Sequence, residues 1–391
     1  MTWVFIEPAD VWLFRDGRPF SAGEGHVARS IFPPTPLTVQ GALRSLVLGH
    51  SEVGWQEFRD QSTPKARELG EDIGYPAARG RDASLGSFSI AGPFLARREG
   101  GEVVRYTPLP ADVVQDAQGG SHFTLRPARG LPFKTGWPAP GLYPLWPGTT
   151  EEIKAPDPGE WLSERELRGY LRGEPFAPLQ GEELFDSEPR FGVALDYEKR
   201  QSEPHMLYQA EFIRPVARQG GEVGLLVRLG PDVTLPAEEG ILTLGGEARG
   251  AYYCQLDNGR SSAGAGLRAP ARRFKLVFLT AAWFSGGWQP ADGNVGWSRI
   301  LGGPAALVAA AVRRPQHIGG WDIATRWHKP MYHYVPAGSV YFFELVQEDK
   351  HSIRFPPGTV TETPEGELPL DAQGFGQVVA GTWEWFEFSQ E

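Results

Sequence analysis

The spacing of apolar side chains predicts strands and then a helix near the start of the chain. Residues 2–6, TWVFI, and 10–14, DVWLF, are rich in aromatic and β-branched side chains, which favours two strand segments. From Thr35 to Gly49 the apolar residues recur at the i, i+3, i+4, i+7 and i+8 spacing of one buried helix face. Thr35 suits the N-cap, and Pro36 suits the first helical position. The chain therefore begins as a strand–loop–helix unit.

Further strand patterns follow, with little helix among them. Residues 206–216 and 223–230 predict two strands that pair with each other. Residues 238–253 predict a short helix, a tight Gly-Gly turn and a strand. In the last third of the chain, strand patterns occur at 272–284, 307–321, 337–346 and 375–388. This mixture indicates an α+β fold.

A small, polar stretch divides these patterns into two halves. Residues 260–271, RSSAGAGLRAPA, combine Ser, Gly and Pro and are typical of a linker. We predict an N-terminal domain at 1–262, a linker at 263–271 and a C-terminal domain at 272–391, with a β–α–β–β pattern in each domain. The proline-rich region at about 100–190 is predicted to be an insertion in the first domain, because its prolines interrupt any long element.

The composition is that of a globular protein with an acidic balance. Of the 391 residues, 41% are hydrophobic and 22% are charged, and the formal net charge is −10. This charge argues against a protein that coats nucleic acid by bulk attraction, although it leaves room for a local basic groove. Cys254 is the only cysteine, and no apolar run approaches the roughly 20 residues that span a bilayer. The N-terminus lacks the basic region of a secretory signal, so we expect a cytoplasmic protein with no membrane partner.

Motifs for metal, cofactor and nucleophilic chemistry are absent from the sequence. It contains no GxxxxGK[ST], HExxH, CxxC or GxSxG pattern. His317, His328 and His333 lie close together in the sequence, but their spacing matches no metal-ligand signature. We therefore predict no metal, no cofactor and no catalytic residue.

Arginine and glycine collect in the loop that precedes the first helix. Residues 14–46 carry four arginines against two acids. The polar residues of the loop that could bind a ligand are Arg15, Arg18, His26, Arg29 and Ser30. The amide groups and positive dipole end of the helix point back at this loop, so the two together favour an anion site with phosphate as its ligand. The alternative is an arginine loop that is paired with Asp16 and Glu24.

A second segment mixes cations with aromatic side chains. TRWHKPMYHYVPAGS, at 325–339, interleaves four basic or imidazole side chains with three aromatic ones. Cations follow a phosphate backbone while aromatic faces stack on bases, so this mixture suits single-stranded nucleic acid. The alternative is a half-buried strand with ordinary aromatic packing. GGEAR at 245–249 and GFGQ at 374–377 add glycines that allow another backbone to approach closely.

Together these segments resemble the third-subunit family of the Cmr complex, the type III-B CRISPR effector, within the RAMP superfamily. The resemblance is carried in chain order by FRDGRPF, SIFPPTPLTVQGALRS, FGVALDYEKRQSEPHMLYQAEFIRP, LGGEARGAYY, IGGWDIATRWHKPMYHYVPAGSVYFFE and GFGQVVAGTW. It implies two ferredoxin-like (RRM-like) domains with long Pro/Gly-rich insertions, which agrees with the β–α–β–β pattern.

The resemblance also implies a role in antiviral RNA interference. A member of this family is expected to be a non-catalytic subunit that grips the 5′ repeat-derived handle of the guide RNA. Its expected protein partners are the large polymerase-like Cmr subunit and the backbone RAMP nuclease subunit. The RNA-binding candidates that follow from the resemblance are Arg15, Arg18, His26, Arg29, Ser30, Arg44, Arg249, Lys329, Gly374 and Gly376.

Two other functions remain open from the residues. A metal-independent RAMP endoribonuclease that processes guide RNA would use a histidine such as His26 as general acid or base. A carbohydrate-active protein is suggested by the 13 tryptophans and the abundant carboxylates, and it would need two acids positioned in an aromatic cleft.

Overall fold

The computed structural model describes residues 2–17, 27–78, 81–131, 141–156, 159–196, 201–256, 272–322, 324–346 and 358–388. The predicted linker at 263–271 lies outside these ranges. The helices within them are α1 (Pro36–Gly49), α2 (Trp55–Asp60), α3 (Pro64–Ile73), α4 (Glu164–Arg172) and α5 (Asn294–Leu301). The strands are β1 (Trp3–Pro8), β2 (Val27–Ala28), β3 (Ile90–Glu99), β4 (Glu102–Pro108), β5 (Val113–Asp116), β6 (His122–Thr124), β7 (Arg126–Arg129), β8 (Leu145–Trp146), β9 (Ile153–Lys154), β10 (Glu160–Ser163), β11 (Leu179–Gln180), β12 (Phe185–Asp196), β13 (Gln201–Pro215), β14 (Glu222–Leu229), β15 (Glu239–Thr243), β16 (Gly250–Leu256), β17 (Arg273–Phe278), β18 (Ala305–Ala311), β19 (Gln316–Asp322), β20 (Trp327–Tyr334), β21 (Val340–Leu345), β22 (Val378–Thr382) and β23 (Phe386–Glu387). The predicted α+β class is confirmed.

The first half of the chain builds an antiparallel sheet of eight strands in the order β11-β10-β4-β3-β14-β1-β16-β15. Helix α1 follows β1 in the chain and covers one face of this sheet, where Val39 and Leu43 pack with Val4 and Leu225. The helix that the apolar spacing predicts is thereby confirmed. Strands β4, β10 and β11 come from the proline-rich region and extend one edge of the sheet.

The second half builds a four-stranded antiparallel sheet in the order β18-β21-β17-β22. Helix α5 lies between β17 and β18 in the chain and covers one face, where Trp297 and Leu301 pack with Phe274 and Phe343. If the four strands are numbered along the chain, this order is 2-3-1-4, and the central strands β3-β14-β1-β16 of the first sheet have the same order. In both sheets the helix follows the first of the four strands, so the two halves share one topology.

The two sheets face each other across a shared apolar layer. Phe5 and Leu226 of the first sheet belong to the same buried cluster as Val277 and Phe342 of the second sheet, and Leu167 of α4 joins them. Burial of this surface by both sheets makes the two halves one packed body. No helix in the described ranges has the length and apolar run that a bilayer crossing requires.

A buried polar cluster crosses the layer between the halves. Lys275 of β17 donates a hydrogen bond from Nζ to Oδ2 of Asp112 at 3.2 Å, and the Tyr170 hydroxyl of α4 donates to Oδ1 of the same carboxylate at 2.6 Å. The Lys275 ammonium also lies 3.6 Å from the centre of the Tyr170 ring. Burial, together with the neighbouring Asp112 carboxylate, raises the pKa of Tyr170 well above its usual value. The buried charges of Lys275 and Asp112 are therefore paired with each other, and Tyr170 contacts both of them at the junction of the halves.

Three local predictions are wrong. Of the predicted strand at 10–14, residues 11–14 are buried as their apolar pattern requires, but in place of a strand the segment forms one bridge, from Trp12 to Ile213. The strands predicted at 206–216 and 223–230 do occur as β13 and β14, yet β13 pairs with β12 and β2, while β14 lies between β1 and β3. The helix predicted at the start of 238–253 is strand β15, because it pairs with β16 at the sheet edge.

Candidate nucleic-acid interface

At its base the arginine loop consists of two antiparallel segments, residues 14–16 and 29–31, which we call its first and second legs. The backbone N–H of Asp16 donates to the carbonyl of Arg29 at 3.0 Å, and that of Ile31 donates to the carbonyl of Phe14 at 2.8 Å. Strand β2, which leads into the second leg, pairs in parallel with β13 of the long β12–β13 hairpin. These bonds hold the base of the loop against the hairpin.

Ser30 anchors the second leg. Its hydroxyl donates to the carbonyl of Glu211 at 2.5 Å and accepts from the N–H of Phe14 at 3.2 Å, while its own N–H donates to the Glu211 carboxylate at 3.2 Å. The hydroxyl is therefore engaged within the protein. Its predicted contact with RNA stays a prediction.

Two of the predicted loop cations are exposed at the base of the loop. Arg15 and Arg29 both expose their side chains, and they lie on opposite legs. Arg29 makes no ion pair with any residue that the structure describes. Arg18 and His26 lie outside the described residues, so their predicted roles stay predictions.

The arginine loop meets the second half of the chain at Gly17. A Cβ atom added to Gly17 would lie 2.7 Å from Cε of Met331 and 3.9 Å from the amide nitrogen of Gly319. Met331 and Gly319 belong to the β19–β20 hairpin, which contains the predicted aromatic and basic segment. The absence of a side chain at Gly17 thus allows the loop to lie directly on this hairpin. The two segments singled out in the sequence are neighbours in space.

The β19–β20 hairpin has one exposed end and one buried end. At the exposed end, Trp327 is 70% accessible, and the rings of Trp321 and His328 lie with their centres 4.9 Å apart. At the other end, Tyr334 is 3% accessible and stacks on Phe375. The hairpin therefore combines an aromatic surface that bases could stack on with an ordinary packing face.

Lys329 lies on the β19–β20 hairpin opposite Gly320. It is half-buried and makes no ion pair with a described residue. Its ammonium is therefore available to an outside anion, and its predicted contact with RNA stays a prediction.

A cavity of about 460 Å³ opens where the arginine loop, the first helix and the second half come together. Phe32, Tyr106 and Trp161 line it from the first half, and Arg314 and Ala337 line it from the second half. Arg314 is exposed, has no ion pair with the described residues, and is the one charged side chain among those that line the cavity. A cavity of this size with aromatic walls and one free cation suits a flat, anionic ligand.

Helix α1 begins at the wall of the same cavity. Thr35 and Pro36 line it, and the Thr35 hydroxyl lies 3.2 Å from the hydroxyl of Thr38 without capping a backbone amide. The first turn carries no acidic residue. The positive end of the helix dipole is therefore not offset by a carboxylate of its own, as the sequence predicts for an anion site.

Arg44 lies two turns further along α1. It is half-buried, and its side chain has no ion pair or hydrogen bond among the described residues. Burial lowers the pKa of Arg44 to about 10, and none of the described acids opposes that effect. Arg44 is thus a partly desolvated cation without a counter-ion among the residues described.

Arg249 has a different environment. Its guanidinium lies over the Phe212 ring at 4.8 Å, donates to Glu247 at 2.9 Å and lies 3.9 Å from Asp10. Arg190 and Arg214 join the same group and pair with Asp10 and Glu188. Three arginines here face three acids, so the cluster is neutral. An RNA phosphate would have to displace these pairs, and the predicted contact of Arg249 stays a prediction.

Gly374 and Gly376 are buried and have positive φ angles of 102° and 66°. A Cβ atom on Gly374 would lie 2.4 Å from the carbonyl oxygen of Gly92 and 3.3 Å from Cβ of Pro36. Gly374 therefore lets a loop of the second half pack against Gly92 and the start of α1, whereas Gly376 allows a close approach to Val360 and Thr361 within the second half. Their predicted contact with RNA stays a prediction.

The walls of the cavity are formed by residues that the sequence did not mark as functional. Trp161 and Tyr106 come from strands β10 and β4 of the proline-rich region, and Arg314 precedes β19. A possible signal was FPPTP at 32–36, whose prolines supply rigid walls without backbone donors. Within the described residues, no group of three or more His, Cys, Asp or Glu side chains is placed to hold a metal ion.

Comparison with known proteins identifies the family. The sequence matches the family described as CRISPR-associated protein (Cas_Cmr3) over residues 4–383. No curated protein matches it. Two solved structures are similar to the chain at 16% sequence identity, each covering 87% of this chain and 86% of the other. They are the Type III-B Cmr-beta bound to cognate target RNA and AMPPnP in state 1, with a TM-score of 0.47, and the Type III-B Cmr-beta bound to cognate target RNA, with a TM-score of 0.44. Because the family match spans nearly all of its length, the chain belongs to the Cas_Cmr3 family of CRISPR-associated proteins, the third-subunit family that its sequence resembles.

Proposed function

We propose that this subunit of the type III-B effector is a non-catalytic RNA-binding protein that grips the 5′ repeat-derived handle of the guide RNA. We further propose that it docks the large polymerase-like subunit and the backbone RAMP nuclease subunit of the Cmr complex. The exposed Phe191 and Val193 on the β12–β13 hairpin, 71% and 45% accessible, offer an apolar surface to one of these partners.

The observation that carries the RNA-binding proposal is the meeting of three elements. The arginine loop touches the β19–β20 hairpin at Gly17, and the cavity between the halves is lined by residues that follow the loop and by residues that enter the hairpin. The cations of the loop and the cavity therefore both adjoin the hairpin that carries the exposed aromatic side chains. Single-stranded RNA is recognised by this combination, since its bases can splay out, stack and enter pockets.

In the proposed complex each element has its own task. Arg15 and Arg29 at the base of the loop hold phosphates in register. The exposed Trp327 stacks on a base, and the cavity accepts another base between Phe32 and Trp161, with Arg314 at the adjoining phosphate. The protein as a whole is acidic, so binding depends on this local surface and not on net charge.

We infer that each half is a ferredoxin-like unit. The strand order 2-3-1-4 with a helix after the first strand occurs in both sheets, which supports this assignment. In both units a β-hairpin precedes the third strand: β12–β13 in the first and β19–β20 in the second. The predicted boundaries at 1–262 and 272–391 are consistent with it.

Replacing Arg29 with alanine is expected to weaken the binding of handle RNA by roughly threefold to tenfold, because one phosphate contact is lost. The slope of log affinity against log salt concentration is expected to become shallower by about 0.7. Filter binding of the full chain over a salt series measures both quantities. Arg168→Ala is the matched control, since Arg168 is an exposed arginine that pairs with Glu164 on α4. An Arg29→Ala protein with the wild-type salt slope would remove Arg29 from the interface.

The purified chain is expected to leave labelled repeat RNA intact, with or without EDTA, because the proposed role is to hold RNA and not to cut it. Denaturing gel electrophoresis after prolonged incubation checks this outcome. Specific cleavage that is lost in a His26→Ala variant would contradict the proposal and would favour the endoribonuclease alternative.

A further inference from the structure

Two polar side chains on α1 lack, within the described part of the chain, the partners that buried polar groups normally have. Gln40 is 3% accessible, and its amide nitrogen Nε2 has no hydrogen-bond partner among the residues that the structure describes. A buried donor without an acceptor costs free energy, and most native proteins avoid it. Such a group therefore needs an explanation.

Arg44 presents the same situation with a full charge. Its side chain has no ion pair and no hydrogen bond with the described residues, and burial accounts for the lowered pKa of its guanidinium. It is also the only charged residue of α1, PLTVQGALRSLVLG. A desolvated cation without a counter-ion is unfavourable, and an anion that reached it would relieve the cost.

The two side chains lie on the same face of the helix. Their spacing is i, i+4, so they are neighbours one turn apart. The same row begins one turn earlier at Pro36, which lines the cavity between the halves. The row of Pro36, Gln40 and Arg44 therefore leads from the cavity along α1, starting at the positive end of the helix dipole.

We propose that Gln40 and Arg44 form an oxyanion-binding site that is incomplete in the free protein and is completed by a phosphate group of the bound RNA. The phosphate oxygens accept from the Arg44 fork and the Gln40 amide, which supplies both missing acceptors. The half-buried Arg44 is the entry point, because part of its side chain meets solvent. A phosphate is favoured over a protein carboxylate because the row continues the cavity that the proposed function assigns to RNA, and the inference rests on that function.

The test uses the unusual sign of the expected stability change. In the free full-length protein, Arg44→Met and Gln40→Met each remove an unpaired polar group and are expected to raise the melting temperature by about 2 °C. The same variants are expected to bind handle RNA at least tenfold more weakly than wild type. Arg44→Lys keeps the charge and loses the planar guanidinium fork. Its affinity for handle RNA is expected to lie between those of the wild type and Arg44→Met.

Inorganic phosphate provides a probe that does not depend on RNA. At constant ionic strength, replacing chloride with phosphate is expected to raise the melting temperature of the wild type and to leave that of Arg44→Met unchanged. Arg59→Met is the control, since Arg59 is a helical arginine that is already paired with Asp60, and it is expected to behave as wild type in both assays.

The possible outcomes separate the site from the function. Phosphate stabilisation that depends on Arg44, without any binding of handle RNA by the wild type, would keep the oxyanion site and defeat the proposed function. Wild-type RNA affinity in both methionine variants would overturn the inference. Loss of Cmr subunit association with RNA affinity intact would likewise overturn it and would assign the site to a carboxylate of a protein partner.

Discussion

Replacing Lys275 with methionine is expected to lower the free energy of unfolding by about 3–5 kcal/mol, the loss typical of a buried ion pair that is broken on one side. Asp112 is fully buried, so its carboxylate would keep only the hydrogen bond from Tyr170 and would have no cation to balance it. Because Lys275 belongs to the second sheet and Tyr170 to α4, the loss falls on the junction of the two halves. Urea unfolding of the full chain measures the change.

The double substitution Lys275→Met with Asp112→Asn separates the charge from the packing. The neutral amide still accepts from Tyr170 and no longer needs a cation, so the double variant is expected to regain a large part of the lost stability. Lys65→Met is the surface control, because Lys65 is exposed and its distance from Glu52 is 3.7 Å. Equal stability of Lys275→Met and Lys65→Met would show that the buried cluster contributes nothing.

Filling the cavity is expected to give the largest effect on RNA binding. Ala337 is half-buried at the cavity wall, and its replacement by tryptophan places an indole where the proposed base would lie. The loss of one stacked base corresponds to about 1–3 kcal/mol, or roughly fivefold to more than a hundredfold in affinity. Titration of the full chain with fluorescently labelled handle RNA measures it.

Ala337→Ser is the matched control at the same position, since serine leaves the volume open. A tryptophan variant with the wild-type melting temperature and the wild-type RNA affinity would exclude the cavity as a base site. A set of handle RNAs, each with one base replaced by 2-aminopurine, shows which base enters the cavity. The base that enters between Phe32 and Trp161 is expected to show quenched fluorescence in the wild type and to regain it in the tryptophan variant.

Local patterns predicted those elements whose stability comes from their own sequence. The 36–49 helix was predicted because its apolar stripe and N-terminal proline are properties of consecutive residues. β1 was predicted for a similar reason. Its side chains are apolar at consecutive positions, and alternate ones pack into the two buried clusters on opposite faces of the strand. The arginine loop was also recognised locally, because its charge stands out in an acidic chain.

Predictions failed where distant partners decided the structure. Residues 239–243 lack a strong strand pattern and form β15 because the edge of β16 offers free backbone groups to pair with. The apolar residues of β14 are buried on both faces, which places it between β1 and β3 and not beside β13. Which strands pair depends on which apolar surfaces and backbone edges distant parts of the chain leave exposed. A short window of sequence does not contain that information.

The amino-acid order by itself determined the α+β class, the first helix, the family and the positions of the conspicuous cations. Only the tertiary structure decided that Gly17 lies against Met331, that Trp161 and Arg314 share one cavity, and that Arg249 is neutralised while Arg44 is not. The physical reason is the separation along the chain over which each interaction acts. Periodicity and capping act within a few residues, whereas burial, ion pairing and cavity formation depend on residues brought together from both halves of the chain.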